Sequence, residues 1–413
     1  MERYKYLIIG GGVAGITAAE FIRLNDEEGT IAMVSDEPCL FYSRLMLSKP
    51  AFFLGKVPFE NVWLKKQEWY DEKKINYISG KKAVKLEAKA KIVTLDDGQQ
   101  LSYDKLLLAL GTEARRWTVP GADKQGVHYL RDLNEGKGII AGIKTAKKGI
   151  TIGGGFISFE MAELLKLAGL ETTTIIRESY YWEPLLDETS GKMIEAALTK
   201  NGIKVIKNTE VREVIGDDKV AGVTLKDGTK LDCDLVICGL GTLTDLDWLK
   251  KAGLKTNRGI LANEYLETNL SDVWTAGDVA EFNDLILGAT VQLGNWANAR
   301  EHGRISGLNM VGKKEPFKFV SFYTTQALGM SVTFVGEVRP SEGKKIITRG
   351  LAEINSHARI LALNGKISGA TLINRTSELN AISKLIEQNF RVAGHEAELG
   401  DPSFDLKTLV AKV

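Results

Sequence analysis

Residues 10–20 have the sequence GGGVAGITAAE, and residues 153–163 have the sequence GGGFISFEMAE. A second pair follows in the same order: residues 93–112, VTLDDGQQLSYDKLLLALGT, return as residues 223–242, VTLKDGTKLDCDLVICGLGT. The members of each pair lie about 130 to 145 residues apart. Two matches in the same order and at similar spacing predict two copies of one domain.

Each copy has the pattern of a strand, a glycine loop, a helix and a second strand. The predicted strands are Tyr6–Ile9 and Thr30–Val34 in the first copy, and Ile150–Ile152 and Thr172–Ile176 in the second. An Asp-Gly hairpin turn and a final apolar strand follow in both copies. Short connections between strand and helix favour parallel sheets with right-handed crossovers, so we expect an α/β protein with two Rossmann-like domains.

The glycine loops have the Gly-x-Gly-x-x-Gly spacing of a dinucleotide-binding turn. The first glycine makes the turn, the second lets the backbone approach a pyrophosphate, and the third lets helix and strand pack closely. The helix that follows presents free N–H groups to the phosphates. The residues predicted to bind are Gly10, Gly12, Val13, Ala14 and Gly15 in the first copy, and Gly153, Gly155, Phe156 and Ile157, with Ser158 in the third position, in the second.

An acidic residue about 20 positions beyond the loop is expected to bind the adenosine ribose. Asp36 and Glu37 follow the second strand of the first copy, which suits the unphosphorylated ribose of FAD. The second copy has Arg177 and Glu178 there. Arg177 favours the 2′-phosphate of NADPH and Glu178 favours NADH, so both coenzymes stay open, with NADPH slightly preferred.

Over roughly residues 4–313 the sequence resembles the glutathione-reductase-like FAD-dependent pyridine nucleotide-disulfide oxidoreductases. The resemblance is carried by Thr275–Asp278 (TAGD), by the strand-ending segments Leu106–Gly111 and Val236–Gly241, and by residues 41–49, FYSRLMLSK. The last segment is similar to the branch of ferredoxin and rubredoxin reductases, apoptosis-inducing-factor-like proteins and the flavin part of NAD(P)H nitrite reductases. Residues 295–310 look most like the nitrite and rubredoxin reductase versions.

The resemblance implies further cofactor contacts. For FAD the matching residues are Arg44, Lys49, Val84, Leu110, Gly111, Arg131, Asp278 and Trp296; for NAD(P) they are Glu160, Arg177 and Gly241. Thr244 replaces a proline that is common in the family, and Phe322-Tyr323 stands where ferredoxin reductases have a Phe-Trp pair. The C-terminal region is divergent, which leaves the electron acceptor open.

Many relatives pass electrons through a cysteine beside the flavin, but residues 42–47, YSRLML, contain none. Cys39 stands alone, and Cys233 and Cys238 fall in a predicted strand, where positions five apart point to opposite faces. We therefore expect direct transfer from the flavin. The position of Thr17 in the first copy is Glu160 in the second, and in the family the matching glutamate pairs with the lysine matching Lys49. We predict a Lys49–Glu160 ion pair near flavin N5 as the catalytic pair.

Length and composition agree with a multidomain globular protein. We predict an FAD-binding domain from residues 1–114 and 243–312, an NAD(P)-binding domain from 115–242, and a C-terminal α+β domain from 313–413 that serves an interface or dimerisation. A formal net charge of +1 gives no indication of nucleic acid. No apolar run spans a bilayer and no signal peptide is recognisable, so we expect a cytoplasmic location. The four histidines lack metal-ligand spacing, and no metal site is expected.

The expected function is an FAD-dependent NAD(P)H oxidoreductase that passes electrons, without a redox cysteine, to a small rubredoxin- or ferredoxin-like carrier or to a nitrite reductase partner. One alternative is an NAD(P)H oxidase that reduces oxygen to peroxide. Another is a non-catalytic redox-sensing flavoprotein. The resemblance also implies that the protein could form a homodimer through its C-terminal domain. His302, in the helix predicted over Trp296–Met310, is a further candidate for contact with the cofactor.

Overall fold

The computed structural model describes residues 1–410. The chain forms two compact units. The first comprises Met1–Tyr42, Trp63–Glu113 and Leu243–Tyr323; the second comprises Ser43–Val62, Ala114–Thr242 and the chain from Thr324 onward. The predicted division into three domains differs from these two units and stays a prediction. In the structure, residues 43–62 and the C-terminal region belong to the same unit as the second glycine loop.

The described chain is built of strands and helices. Up to residue 114 they are β1 (Glu2–Ile9), α1 (Val13–Asn25), β2 (Ile31–Ser35), α2 (Pro50–Phe53), α3 (Gln67–Glu72), β3 (Ile75–Ser79), β4 (Ala83–Glu87), β5 (Ile92–Leu95), β6 (Gln100–Leu108) and β7 (Glu113–Ala114). Up to residue 243 they are β8 (Val127–His128), α4 (Leu133–Ile143), β9 (Lys148–Ile152), α5 (Phe156–Leu167), β10 (Glu171–Ile175), α6 (Glu188–Lys200), β11 (Lys204–Ile206), β12 (Val211–Ile215), β13 (Gly222–Leu225), β14 (Lys230–Asp232), β15 (Leu235–Cys238) and β16 (Thr242–Leu243). Beyond it they are α7 (Asp247–Lys251), β17 (Ile260–Ala262), β18 (Val273–Thr275), β19 (Ala280–Asp284), β20 (Ala289–Val291), α8 (Trp296–Met310), β21 (Phe322–Ala327), β22 (Met330–Gly336), β23 (Lys345–Leu351), β24 (Ser356–Leu363), β25 (Lys366–Ile373), α9 (Leu379–Glu387), α10 (Glu396–Gly400) and α11 (Lys407–Val410).

The first unit is built on a sheet of order β3-β2-β1-β6-β5-β4, in which β18 also pairs with β6. The pairs among β3, β2, β1, β6 and β18 are parallel, whereas β5 pairs antiparallel with both β6 and β4. Alternate residues of β1 enter two different apolar clusters, Tyr6 and Ile8 on one side and Leu7 and Ile9 on the other. Both faces of the sheet are therefore covered, as expected for a parallel α/β sheet.

The second unit contains a parallel sheet of order β11-β10-β9-β15-β8 and the antiparallel sheet β12-β13-β14. Its C-terminal part is a sheet of order β21-β22-β25-β24-β23, against which α9 and α10 pack. The α/β fold class is confirmed. The helix predicted over Trp296–Met310 is α8, with the same bounds.

The two copies differ after the Asp-Gly turn. In the first copy the hairpin strand and the final apolar strand form one continuous strand, β6. In the second copy they separate into β14 and β15, because Asp234 lies between them and its carboxylate accepts hydrogen bonds from the N–H groups of Lys147 and Lys148 at 2.8 and 2.9 Å. Cys233 therefore lies outside a strand, and its predicted strand position was wrong.

Candidate functional site

The first glycine loop joins β1 to α1, and its three glycines have three different surroundings. Gly10 has φ +124°, and a Cβ atom added there would lie 2.1 Å from the carbonyl oxygen of Ala109. A Cβ on Gly15 would lie 2.0 Å from the carbonyl oxygen of Gly10, so helix and loop are in close contact. A Cβ on Gly12 would meet no atom within 4 Å. The loop thus leaves open space at Gly12, at the start of α1, where a pyrophosphate fits.

Helix α8 packs closely on α1 because both present small residues. Cβ atoms on Gly303 and Gly307 would lie 2.3 and 2.8 Å from the carbonyl oxygens of Ala14 and Ala18. Ala14 is itself buried, and Gly277, next to Asp278, approaches its side chain. The backbone beside Asp278 is therefore held near the N-terminal end of α1.

His302 is fully buried in α8, and its ring meets Phe282 and Phe317 edge-on. Its Nδ1 accepts a hydrogen bond from the N–H of Gly277 at 3.2 Å. Burial lowers the pKa of His302 to about 3, so the imidazole stays neutral at physiological pH. Its contacts are those of a structural residue that fixes the turn before Asp278.

The remaining predicted FAD residues of the first unit lie at different points around its sheet. Asp36 is exposed after β2, while Glu37 accepts a hydrogen bond of 2.5 Å from the hydroxyl of Tyr42.

The Trp296 ring stacks on the ring of Phe41, with the ring centroids 5.9 Å apart. Val84 is 43% exposed on β4. Leu110 and Gly111 follow β6, and the hydroxyl of Thr244, the residue that replaces a family proline, donates to the carbonyl of Gly111 at 3.1 Å.

The second glycine loop joins β9 to α5 with similar geometry. Gly153 has φ +109°, and a Cβ there would lie 2.4 Å from the carbonyl oxygen of Gly239, whereas Gly155 again faces open space. Phe156 and Ile157 begin α5. Ser158 is fully buried, and its hydroxyl accepts from the N–H of Gly155 at 3.1 Å and donates to its carbonyl at 2.9 Å. The open cradle at Gly155 fits a second pyrophosphate.

Arg177 and Glu178 follow β10 and pair with each other. Arg177 Nε lies 2.7 Å from Glu178 Oε1, with 72% of the arginine side chain and 22% of the glutamate side chain exposed. Glu178 Oε2 is 3.7 Å from the position of a Cβ on Gly154, so this carboxylate borders the glycine loop. Gly241, which ends the last segment of the copy, has φ +84° and accepts from the N–H of Arg115 at 2.9 Å.

An aromatic cluster beside this loop was not predicted. Phe156 meets Trp182 and Phe334 with ring centroids 5.0 and 5.6 Å apart, and Phe159 meets Trp182 at 5.4 Å. The backbone N–H of Trp182 also donates to the carbonyl of Gly154 at 2.9 Å. Phe334 belongs to β22, so the C-terminal sheet packs against the start of α5. Dispersed aromatic residues give no periodic signal from which this cluster could be inferred.

Lys49 and Glu160 form the ion pair that the sequence predicts. Lys49 Nζ lies 2.6 Å from Glu160 Oε1, and the glutamate side chain is only 8% exposed. The hydroxyl of Thr325 donates to the same oxygen at 2.6 Å. Thr325 is a site residue that sequence reasoning missed, because a threonine in a strand of a divergent region carries no motif. The location of the pair relative to a flavin stays a prediction.

Arg44 and Arg131, both predicted to contact FAD, are brought together. Arg44 Nη1 donates to the backbone carbonyl of Arg131 at 2.6 Å. The N–H of Arg131 donates to the carboxylate of Glu135 at 2.6 Å, next to the capping box that begins α4 at Asp132. The backbone of Arg131 is thus fixed on both sides.

Cys233 and Cys238 are not activated for redox work. Both are buried, and neither forms a disulfide. Burial raises the pKa of Cys233 to about 12 and also raises that of Cys238, so both stay protonated and unreactive at neutral pH.

Within residues 1–410, no cluster of three or more His, Cys, Asp or Glu side chains is arranged to hold a metal ion. Across that same range, the helices are too short or too polar to cross a bilayer.

Residues 4–303 match the pyridine nucleotide-disulphide oxidoreductase family, and the chain belongs to it. The protein is therefore an oxidoreductase that uses FAD and NAD(P)H, as the glycine loops predict. It is 29% identical over 392 residues to the NAD(P)H nitrite reductase of Bacillus subtilis (strain 168), covering 94% of this chain and 48% of that one. The chain thus spans about half the length of that relative.

Other similarities extend over whole chains. The protein is 27% identical over 407 residues to rhodocoxin reductase of Rhodococcus erythropolis, covering 98% of this chain and 94% of the relative. The solved structure of a covalent putidaredoxin reductase–putidaredoxin complex matches with a TM-score of 0.92 and 26% identity, covering 100% of this chain and 98% of the other. The predicted branch of the family is confirmed by these similarities.

Proposed function

We propose that this protein takes electrons from NAD(P)H and passes them through FAD to a small electron-carrier protein of the rubredoxin or ferredoxin kind. The observation that carries the proposal is the buried Glu160 carboxylate paired with Lys49, in a chain whose Cys233 and Cys238 thiols are buried and have raised pKa values. The carrier as acceptor is supported by the likeness over nearly the whole chain to rhodocoxin reductase and to the reductase in the putidaredoxin complex.

The first copy is proposed to hold FAD. The open space at Gly12 supports this, since its backbone can approach a pyrophosphate, and Asp36 or Glu37 can accept hydrogen bonds from an unphosphorylated ribose. The full set is Gly10, Gly12, Val13, Ala14, Gly15, Asp36, Glu37, Arg44, Lys49, Val84, Leu110, Gly111, Arg131, Asp278 and Trp296.

The second copy is proposed to hold the nicotinamide dinucleotide, through Gly153, Gly155, Phe156, Ile157, Glu160, Arg177 and Gly241. Arg177 gives this site a slight preference for NADPH, since a guanidinium can bind a 2′-phosphate. Glu178 limits that preference, because its carboxylate already pairs with the guanidinium and repels a phosphate. The two side chains together set the choice of coenzyme.

FAD, when bound, accepts a hydride as two electrons and can release the electrons singly. The chain's own contribution is to hold the dinucleotide and to fix charge beside the reacting rings. In this proposal Lys49 and Glu160 fix that charge as an ion pair. The pair places a hydrogen-bond donor and an acceptor together, and because the two charges are opposite it adds no net charge to a partly buried site. No thiol relay is needed.

The experiment is an anaerobic titration of the purified yellow protein with NADH and with NADPH, followed by a panel of acceptors. We expect rapid bleaching of the flavin, fast reoxidation by a rubredoxin or ferredoxin, and slow reoxidation by oxygen. Fast turnover with oxygen and release of peroxide would favour an oxidase instead. Poor turnover with every acceptor would favour a redox sensor, and failure to bind FAD would overturn the proposal.

A nitrite-reducing partner is a second candidate acceptor. It is favoured by the similarity to the NAD(P)H nitrite reductase, in which a region like this chain occupies about half the protein. Addition of such a partner to the reduced protein would test it, with oxidation of NAD(P)H coupled to nitrite loss as the expected result. The cytoplasmic location, the dimer and the interface role of the C-terminal region stay proposals.

A further inference from the structure

The first hairpin of the C-terminal sheet contacts α5 at two carboxylates. Thr325 Oγ1 donates to Glu160 Oε1 at 2.6 Å, and the N–H of Leu328 donates to Glu163 Oε1 at 2.6 Å. The two glutamates are three residues apart and lie on one face of the helix, and the two donors are three residues apart at the end of β21. This spacing fastens the hairpin to the helix that carries Glu160.

Lys49 and Thr325 bind the same oxygen of Glu160, but they differ in stiffness. Lys49 has a long side chain that is 42% exposed, and holding it in a single geometry costs conformational entropy. Thr325 is 2% exposed, β-branched and held in a strand, so its χ1 is restricted. The threonine hydroxyl is therefore the donor better able to hold the carboxylate in one orientation.

We propose that Thr325 is a positioning residue for flavin reduction: through Glu160 Oε1 it fixes the carboxylate that the dinucleotide meets. This inference rests on the proposed function, and it gives the C-terminal sheet a part in the hydride-transfer half of the reaction. Thr325 acts through Glu160 and need not touch either cofactor. Positioning of this kind matters because small displacements of a reacting group slow reactions steeply.

The test is stopped-flow reduction of the FAD-loaded protein by NADH and NADPH under anaerobic conditions, in Thr325→Val, Thr325→Ser and the wild type. Valine keeps the branched shape without the hydroxyl, and serine restores the hydroxyl. We expect Thr325→Val to lower the limiting reduction rate about tenfold, since a hydrogen bond to a charged group is lost. The dissociation constant of the dinucleotide should change little, and Thr325→Ser should regain most of the rate.

Thr324→Val is the matched control, because Thr324 is exposed on the same strand and its hydroxyl pairs with Thr333 at 2.9 Å. A double-mutant cycle adds specificity: in a Glu160→Ala background, Thr325→Val should have no further effect on the rate. An unchanged rate in Thr325→Val, or equal slowing in the valine and serine variants, would overturn the inference. A wild type that neither coenzyme reduces would overturn the proposed function as well.

Discussion

The two glycine loops of this chain have nearly the same backbone and different neighbours. In both, the first glycine is pressed against a carbonyl of the last strand segment and the second faces open space. At the fifth residue of the helix the contacts of the two copies differ. Thr17 is covered by α8, where a Cβ on Gly303 would lie 2.9 Å from its own. The same position in the second copy is Glu160, which meets Lys49 and Thr325 instead. A repeated loop thus keeps its backbone geometry, while the next helical turn makes different contacts in the two copies.

The largest effect, on stability, is expected when the third loop residue of each copy, Gly15 or Ser158, is replaced by its counterpart in the other copy. Gly15→Ser would put a Cβ 2.0 Å from a backbone oxygen that cannot move aside, and should cost about 3 kcal/mol or more in stability. Ser158→Gly removes the hydroxyl bonds to Gly155 and places a glycine in the first turn of α5, and should cost about 1–2 kcal/mol. Thermal unfolding and FAD content of the purified variants measure both. A Gly15→Ser protein that is yellow and as stable as the wild type would show that the helix–loop contact is not required.

The next largest effect concerns the position at which the copies diverge. Glu160→Ala should slow flavin reduction by the dinucleotide about a hundredfold, because Lys49 loses its partner and the reacting groups lose their alignment. FAD should stay bound, since Glu160 lies in the second copy. Glu163→Gln, which keeps an acceptor for the N–H of Leu328, serves as the control. Stopped-flow reduction as fast as in the wild type would remove Glu160 from the catalytic pair.

The sequence predicted those parts of the molecule that repeat or carry a fixed spacing. The glycine loops, α8 and the Lys49–Glu160 pair all depend on motifs whose geometry is local or shared with a family. The break between β14 and β15 was not predictable in this way, because it depends on where the Asp234 carboxylate finds its donors. Thr325 was missed for a similar reason: its role depends on tertiary contact with a residue 165 positions away.

The assignment of FAD to the first copy and of the nicotinamide dinucleotide to the second can be tested at Gly12 and Gly155, where a Cβ would meet no atom within 4 Å. Gly12→Ala and Gly155→Ala each add a methyl group in open space, so neither should destabilise the apoprotein. Each methyl should instead lower the affinity for the dinucleotide of its own copy about 10- to 100-fold, from overpacking of about 1–3 kcal/mol. Gly12→Ala should lose FAD on gel filtration, while Gly155→Ala should stay yellow and need more NAD(P)H. The opposite pattern would reverse the assignment.

The smallest effect is expected at the ends of the second strands, where Glu37 and Glu178 occupy matching positions but Asp36 is matched by Arg177. The loops give this register, since the N–H of Gly10 bonds to the carbonyl of Val34 and that of Gly153 to Ile175. Arg177→Ser should raise the KM for NADPH about tenfold, with little change in the KM for NADH. Glu178→Gln should lower the KM for NADPH, because the substitution frees the Arg177 guanidinium. Both are measured as kcat/KM ratios for the two coenzymes. If Arg177→Ser leaves this ratio unchanged, the arginine is a solvated loop residue, and the choice of coenzyme depends on Glu178 alone.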